Sequence, residues 1–422
     1  MKRRYEVPAI VGLLLFVLLP ATFTPAQQQQ TLSKDEQFRL SGMLRDGYND
    51  VKKYYYDPKL QGLDWDARYK QYDAMIGKAH NLGEGFRVVA AFLSGLQDSH
   101  TFFTPPERAT RYDSGFRFAL VGDTCLITQV RPGTDAASKL HVGDQVALLD
   151  GFNINRDDFH DLRYFFDILA PQAAEQLNLR SPTGEVRQLV VNAEVKPNKL
   201  VMDMTDATDY YEMVRRSENE DHASRSRVIE VEKAVGIAKK HKTLIRDLRG
   251  NPGGYTETLK SMVGKLFDHD VKIGDRTGKK ESKPMIAKHQ GDPFKGNLIV
   301  LVDSGSASAS ELLARVVQLE HRGTVIGDRT AGAVMESKHY RESQGLDTKI
   351  FYGFSVTDAN LIMGDGKSLE KTGVAPDELL LPTGADLAAG RDPVLAHAAE
   401  LAGVKLDPVA AGKMFPFEWT PL

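Results

Sequence analysis

Three stretches of the sequence hold residue types that can do covalent chemistry. The richest is VDSGSASASELLARVV, which leaves an apolar strand and enters an amphipathic helix with serines at 304, 306, 308 and 310. One serine suffices to cap a helix. The surplus allows for a nucleophile, because the first helical turn points its dipole at a developing oxyanion. Residue types alone do not choose among the four. The second stretch is DLRGNPGG, Asp247 to Gly254, between an apolar strand and a helix. Glycines there let backbone N–H groups approach a ligand, as an oxyanion hole requires, although a plain tight turn has the same composition. The third is LQDSHTFF, where His100 sits between Ser99 and Thr101. A neutral imidazole with a pKa of ~6.5 can serve as a general base, and a single histidine can equally be structural.

These groups need elements to hold them. Residues 32–104 read as a small helical domain: Phe38, Leu40, Met43, Leu44, Tyr48 and Val51 recur near helical spacing, and Ser33 with Glu36 fits a capping box. Trp65 to Ala79 and Phe86 to Leu96 read as two more helices, closed by Thr104-Pro105-Pro106. Residues 110–195 change to short strands (Phe118 to Val121, Leu126 to Val130, Gln145 to Leu149, Glu175 to Leu179, Val186 to Val191), with helices at Asp135 to Leu140 and Asp158 to Ala170. In 196–395 strands at Thr243 to Leu248, Leu298 to Asp303 and Val325-Ile326 alternate with helices at Glu232 to Lys240, Tyr255 to Leu266 and Ala309 to Leu319. That alternation predicts an α/β core with a mixed or parallel sheet under helices. Lys272 to Asp292 reads as an exposed excursion, and 396–422 as a C-terminal tail.

The chain of 422 residues is 41% hydrophobic and 26% charged, enough for two or three domains at ~100–200 residues each. Lys+Arg 54 against Asp+Glu 57 leaves a net charge of −3, which argues against a nucleic-acid partner. Cys125 is the single cysteine, so an intramolecular disulfide and a Cys-rich zinc site are excluded. With no HExxH and no phosphate loop, neither metal nor cofactor is expected. Lys2, Arg3 and Arg4 precede an apolar run from Val7 to Leu19, and Thr24-Pro25-Ala26 supplies small residues. Residues 1–26 are therefore expected to be a signal peptide cleaved before Gln27, with an uncleaved anchor as the alternative. The mature protein is then periplasmic or extracellular, without stable membrane insertion, and Cys125 should be buried and inert.

Two resemblances follow from these motifs. The run PGTDAASKLHVGDQVALLDGFNI resembles the PDZ domains of bacterial proteases. DLRGNPGG, SGSASASELLA, GDRTAGA and LEKTGVAPD occur in the order seen in C-terminal processing peptidases (tail-specific proteases), including the relatives of the tricorn core protease. With the PDZ-like stretch, the resemblance covers most of residues 33–395. It implies a ClpP/crotonase-like β-β-α protease core, an N-terminal helical domain and an inserted PDZ-like α+β domain. It also implies Ser308 as nucleophile and the N–H groups of Gly254 and Ala309 as oxyanion donors. The family's processing-peptidase branch uses a lysine base, but the matching position here is Ala333. The tricorn-like branch uses a Ser-His-Ser-Glu tetrad, and Ser99-His100 matches its Ser-His pair. Glu370 best matches its carboxylate, with Asp365 as a competitor.

The resemblance thus implies an exported serine endopeptidase acting on polypeptides. Gly115, Phe116, Arg117 and Phe118 would form the loop of the PDZ-like module that holds a peptide carboxylate. The alternative is a catalytically weakened or inactive protease-like protein that binds polypeptides. Three departures feed it: Ala333, a strand shortened to Val228-Ile229, and Arg246 inside an otherwise apolar strand. A displaced lysine base at Lys338 would need strong desolvation, which its charged neighbours Glu336 and Arg341 oppose.

Overall fold

A computed structural model describes residues 32–198, 202–203, 231, 233–345 and 348–419. The expected signal peptide and the strand at Val228-Ile229 lie outside the described residues.

Helices α1 (Lys34–Tyr54), α2 (Trp65–Ile76) and α3 (Leu82–Ser94) come first. The capping box at α1 is present: the Ser33 hydroxyl accepts from the Glu36 N–H at 3.2 Å, and the Glu36 carboxylate accepts from the Ser33 N–H at 2.8 Å. Leu40, Leu44, Val51, Trp65 and Phe92 are buried between the three. α3 is apolar nearly all round because Phe103, Tyr352 and Phe354, from strands described below, join the same core.

Next come β1 (Phe102–Thr104), β2 (Thr110–Asp113), β3 (Phe116–Val121), β4 (Thr124–Val130), α4 (Asp135–Lys139), β5 (Gln145–Leu149), β6 (Phe152–Asn153), α5 (Phe159–Tyr164), β7 (Ala174–Arg180), β8 (Val186–Asn192) and β9 (Glu194–Pro197). Strands β3-β4-β5-β7-β8 form an antiparallel sheet in that order, with β6 beside β5. Phe116, Ile127, Leu149, Leu162, Leu177 and Val191 fill its core. Cys125 is buried there, and burial pushes its thiol up to about 12, which keeps it protonated. The helix expected over Asp158 to Ala170 is α5 followed by a π-helical turn at Phe165–Leu169.

The remainder holds β10 (Met202–Asp203), helical backbone over 233–238, β11 (Thr243–Asp247), α6 (Thr256–Leu266), β12 (Val271–Gly278), β13 (Ser282–Ala287), β14 (Asn297–Val302), α7 (Ala309–Leu319), β15 (Gly323–Gly327), β16 (Met335–Gln344), β17 (Thr348–Met363), β18 (Glu378–Leu379), α8 (Gly384–Ala388), α9 (Pro393–Leu401) and α10 (Pro408–Gly412). β11-β14-β15-β18 is a parallel sheet. β14 reads NLIVLV because both its faces are covered: Leu298, Val300 and Val302 meet α6 and α7, while Ile299 and Leu301 meet α9 and α10. A second, antiparallel sheet centres on β17, which pairs with β1, β10, β12 and β16.

Two expectations need correction. Lys272 to Asp292 is no exposed excursion: β12 and β13 form a hairpin with Val271, Ile273, Met285 and Ala287 buried, and its lysines sit on the outer face. The segment from 396 is no tail at its start, since α9 runs through that boundary and buries Leu395 and Ala398 on the parallel sheet. Arg246 is half-buried with an unpartnered Nε, and burial lowers its pKa. Among the described residues no helix is long and apolar enough to cross a membrane.

Candidate active site

Of the four serines after β14, two are committed and one is inaccessible. Ser306 is fully buried and donates to the Leu248 carbonyl at 2.7 Å. Ser304 donates to the Leu120 carbonyl of β3 at 2.6 Å. Ser310 is buried inside the first turn of α7. Ser308 is half-buried and caps α7 with φ 53° and ψ −118°, a backbone conformation that an L-residue adopts only under constraint. That constraint is visible: the Ser308 N–H is shared between the Ala333 carbonyl and the Glu311 carboxylate, both at 2.9 Å.

Glu311 is the anchor of this turn, and its role was not read from the sequence. Its carboxylate is fully buried and also accepts from Thr330 Oγ1 at 2.6 Å, Gly332 N at 2.8 Å and Ala333 N at 3.0 Å. Burial raises its pKa, and the four donors oppose that rise. The available signal was its place at the third helical position after a capping serine.

The DLRGNPGG turn packs directly on Ser308. Gly253 has φ 96°, and a Cβ there would stand 2.8 Å from the Ala307 carbonyl oxygen, the Ala309 N and the Ser308 Cβ. Only glycine allows that approach. Gly254 follows at φ 153°. As the first residue of α7, Ala309 has an N–H with no intrahelical acceptor. The N–H groups of Gly254 and Ala309 are thus carried on two backbone segments in contact beside Ser308.

Ser99, His100 and Glu370 are joined by hydrogen bonds. Ser99 Oγ donates to Glu370 Oε2 at 2.9 Å and lies 2.7 Å from His100 Nδ1, while the Ser99 N–H donates to Glu370 Oε1 at 2.8 Å. A hydroxyl has one proton. If the carboxylate takes it, the Ser99 oxygen must accept from Nδ1–H, and Nε2 keeps its lone pair. Burial pushes the His100 pKa down to about 4, against the pull of the Asp98 charge and with a small push from His160. Burial raises the Glu370 pKa, and the hydrogen bonds from Val334 and Ser99 pull against it.

Asp98 is the second residue that sequence reasoning missed. Its Oδ1 accepts from His100 N at 3.0 Å, Thr101 N at 2.7 Å and Thr357 Oγ1 at 2.6 Å, and its Oδ2 accepts from Tyr55 OH at 2.8 Å. The turn presenting Ser99 and His100 is thereby tied to α1 and β17. Asp-x-x-Thr with two backbone bonds is an Asx turn, legible in the type of Asp98 but not in its tertiary partners.

One dipeptide links the two halves of the site. Ala333 O accepts from Ser308 N, and the next residue, Val334, donates its N–H to Glu370 Oε2 at 2.8 Å. Ala333 therefore contributes to the site through its backbone, its N–H donating to Glu311 and its carbonyl accepting from Ser308. Lys338 lies on β16 with its Nζ exposed, 3.4 Å from Asp358 Oδ2. Asp365 is engaged elsewhere, accepting from Arg315 at 2.6 Å. Among the described residues no group of His, Cys, Asp and Glu is arranged to hold a metal ion.

The residues expected to form a carboxylate loop differ in conformation. Gly115 has φ 74°, but Phe116, Arg117 and Phe118 already belong to β3 and pair with β4 across an irregularity at Arg117/Phe118. Their backbone is therefore strand, not loop.

Comparison with known proteins finds relatives of the chain in sequence and in fold. Residues 209–380 match the model of peptidase family S41, and residues 40–93 match the tricorn protease C1 domain. A tricorn protease homolog of Streptomyces coelicolor is 23% identical over 83% of this chain, which spans 31% of that protein's length. A carboxyl-terminal-processing protease of Picosynechococcus is 23% identical over 87% of this chain and 88% of its own. The crystal structure of mature CPAF superposes with a TM-score of 0.62 at 14% identity, covering 84% of this chain and 95% of that one. Sequence match and motif order coincide over residues 209–380, which carry a peptidase family S41 domain, and residues 40–93 carry a tricorn protease C1 domain.

Proposed function

We propose that this chain is an exported serine endopeptidase that cleaves polypeptides with a Ser-His-Ser-Glu tetrad on a ClpP/crotonase-like core. Ser308 Oγ attacks the scissile carbonyl carbon and its proton passes to His100 Nε2. The carbonyl oxygen takes the negative charge and is held by the N–H groups of Gly254 and Ala309. As the C–N bond breaks, His100 returns the proton to the departing amine; water then cleaves the acyl-serine with the same base. Ser99 passes the influence of Glu370 to Nδ1, which fixes the tautomer. The observation that carries this reading is the continuous hydrogen-bond path from Glu370 through Ser99 to His100 Nδ1, fastened to the Ser308 turn by Ala333-Val334.

Residues 110–195 serve in this reading as an inserted PDZ-like module that binds substrate. β3 is an edge strand, pairing only with β4 among the described residues. The hairpin turn at Gly122-Asp123 puts the carbonyls of Phe118 and Leu120 on the free edge. The Leu120 carbonyl accepts from Ser304, four residues before Ser308. A polypeptide added to this edge would run toward the nucleophile. Phe118 and Phe159 of α5, with ring centroids 6.0 Å apart, would line the pocket beside it.

Hydrolysis of fluorescein-labelled casein tests the reading. Ser308→Ala is expected to lower the rate at least ~10³-fold with thermal unfolding unchanged. Retained hydrolysis in Ser308→Ala, with loss in Ser306→Ala, would move the nucleophile. A well-folded wild-type chain that binds casein without cleaving it would establish the polypeptide-binding alternative.

A further inference from the structure

Trp419 packs on the β3–β8 sheet although nearly 300 residues separate them in sequence. Its ring centroid lies 4.6 Å from the Arg131 guanidinium carbon and 5.8 Å from that of Arg117. The Arg131 N–H donates to the Gly115 carbonyl at 2.8 Å, so the ring lies over the beginning of β3, where the peptide edge starts. Arg131 is held ready for such a ring. Its side chain is only 19% exposed, it is paired with Asp113, and Glu194 lies 4.0 Å away. Its Nε is buried without a hydrogen-bond partner. A guanidinium fixed in this way offers its flat face to an aromatic ring.

Among the described residues, the segment that brings Trp419 there is mostly exposed. Met414, Phe415 and Phe417 are 52%, 72% and 49% exposed, and Phe417 meets Trp419 edge to face at 5.1 Å. A single ring on two cations is a weak, exchangeable contact.

We propose that Arg117 and Arg131 form a subsite for an aromatic side chain of a bound polypeptide, and that Trp419 is its resident occupant. Substrates then displace residues 414–419 to reach β3, and those carrying an aromatic residue in register do so best. The proposal rests on the reading of residues 110–195 as a peptide-binding module.

Calorimetry on the full chain carrying Ser308→Ala, which leaves a bound peptide uncleaved, tests it. The probe is the peptide GKMFPFEFTPL, the sequence of residues 412–422 with Phe in place of Trp. Trp419→Ala is expected to bind this probe at least about fivefold tighter than the Trp419 chain. Replacing that Phe of the probe by Ala should cost about fivefold in return. The probe should also shift tryptophan emission to the red in the Trp419 chain and not in Trp419→Ala. Equal, measurable affinity of both chains overturns the subsite and leaves the peptide module standing. Absence of binding to either chain overturns both.

Discussion

His100 is neutral well below neutral pH because burial opposes its charged form. The consequence for rate has a definite sign. Protonation removes the Nε2 lone pair, so kcat/KM should fall as pH drops through the histidine pKa. That acid limb should lie below the ordinary ~6.5, displaced toward about 4. A limb at or above the ordinary value would show that the imidazole is solvated. The same shift acts on stability: the unfolded chain protonates first, so His100 contributes a loss of stability as pH falls from ~6.5 toward about 4. Substitutions separate the candidate bases. His100→Ala should lower kcat at least ~10²-fold, whereas Lys338→Ala, whose amine is exposed and faces Asp358, should leave kcat and KM within a factor of about two. The opposite pair of results would restore a lysine base. Ser99→Ala removes the acceptor for Nδ1–H and should cost roughly 10–100-fold in kcat with KM little changed.

At the scale of elements, the Ser308 turn depends on two neighbours with different failure modes. Gly253→Ala puts a methyl group 2.8 Å from three atoms of the Ala307–Ala309 turn, so the oxyanion donors must move. Its expected signature is a fall in kcat of ~10²-fold or more with near-native thermal unfolding. Glu311→Gln replaces an acceptor of four donors with a group that can satisfy only some of them. It should lose about 2–4 kcal/mol of stability, read by urea unfolding, before any kinetic effect is measured. Much of this element scale was readable from the chain. Ser33 and Glu36 announced the start of α1, the apolar run from Leu298 to Asp303 announced a strand in a sheet under helices, and the glycines of DLRGNPGG allowed a close backbone approach. β16 was not readable, because MESKHYRESQ has no clean alternation: its order comes from pairing residue by residue with β17. β12 and β13 hid for the same reason, their four buried apolar residues being scattered among polar and charged ones. Asp98 and Glu311 look like ordinary surface carboxylates in sequence; their partners lie on other elements.

Across the whole molecule, the β3–β8 sheet is fastened to the rest at the loop that also shapes the Ser308 turn. Asp328, almost fully buried, accepts from Gly122 N at 2.8 Å and from Arg156 at 2.7 Å, and Arg156 also donates to the Arg329 carbonyl at 3.0 Å. Thr330, Gly332 and Ala333 follow directly and hold Glu311. Arg156→Ala leaves the Asp328 carboxylate buried with fewer partners. It should therefore weaken hydrolysis of long polypeptides more than that of short peptides, which need no contact with β3. Equal losses on both would place the effect in the Ser308 turn itself. The central claim, a histidine-assisted Ser308, is tested most directly by mapping the adduct of a fluorophosphonate probe by mass spectrometry in wild type and His100→Ala. The account predicts one adduct, on the peptide carrying Ser308, formed at least ~10²-fold more slowly without the imidazole. An adduct on another serine, or equal labelling rates in the two proteins, would contradict it.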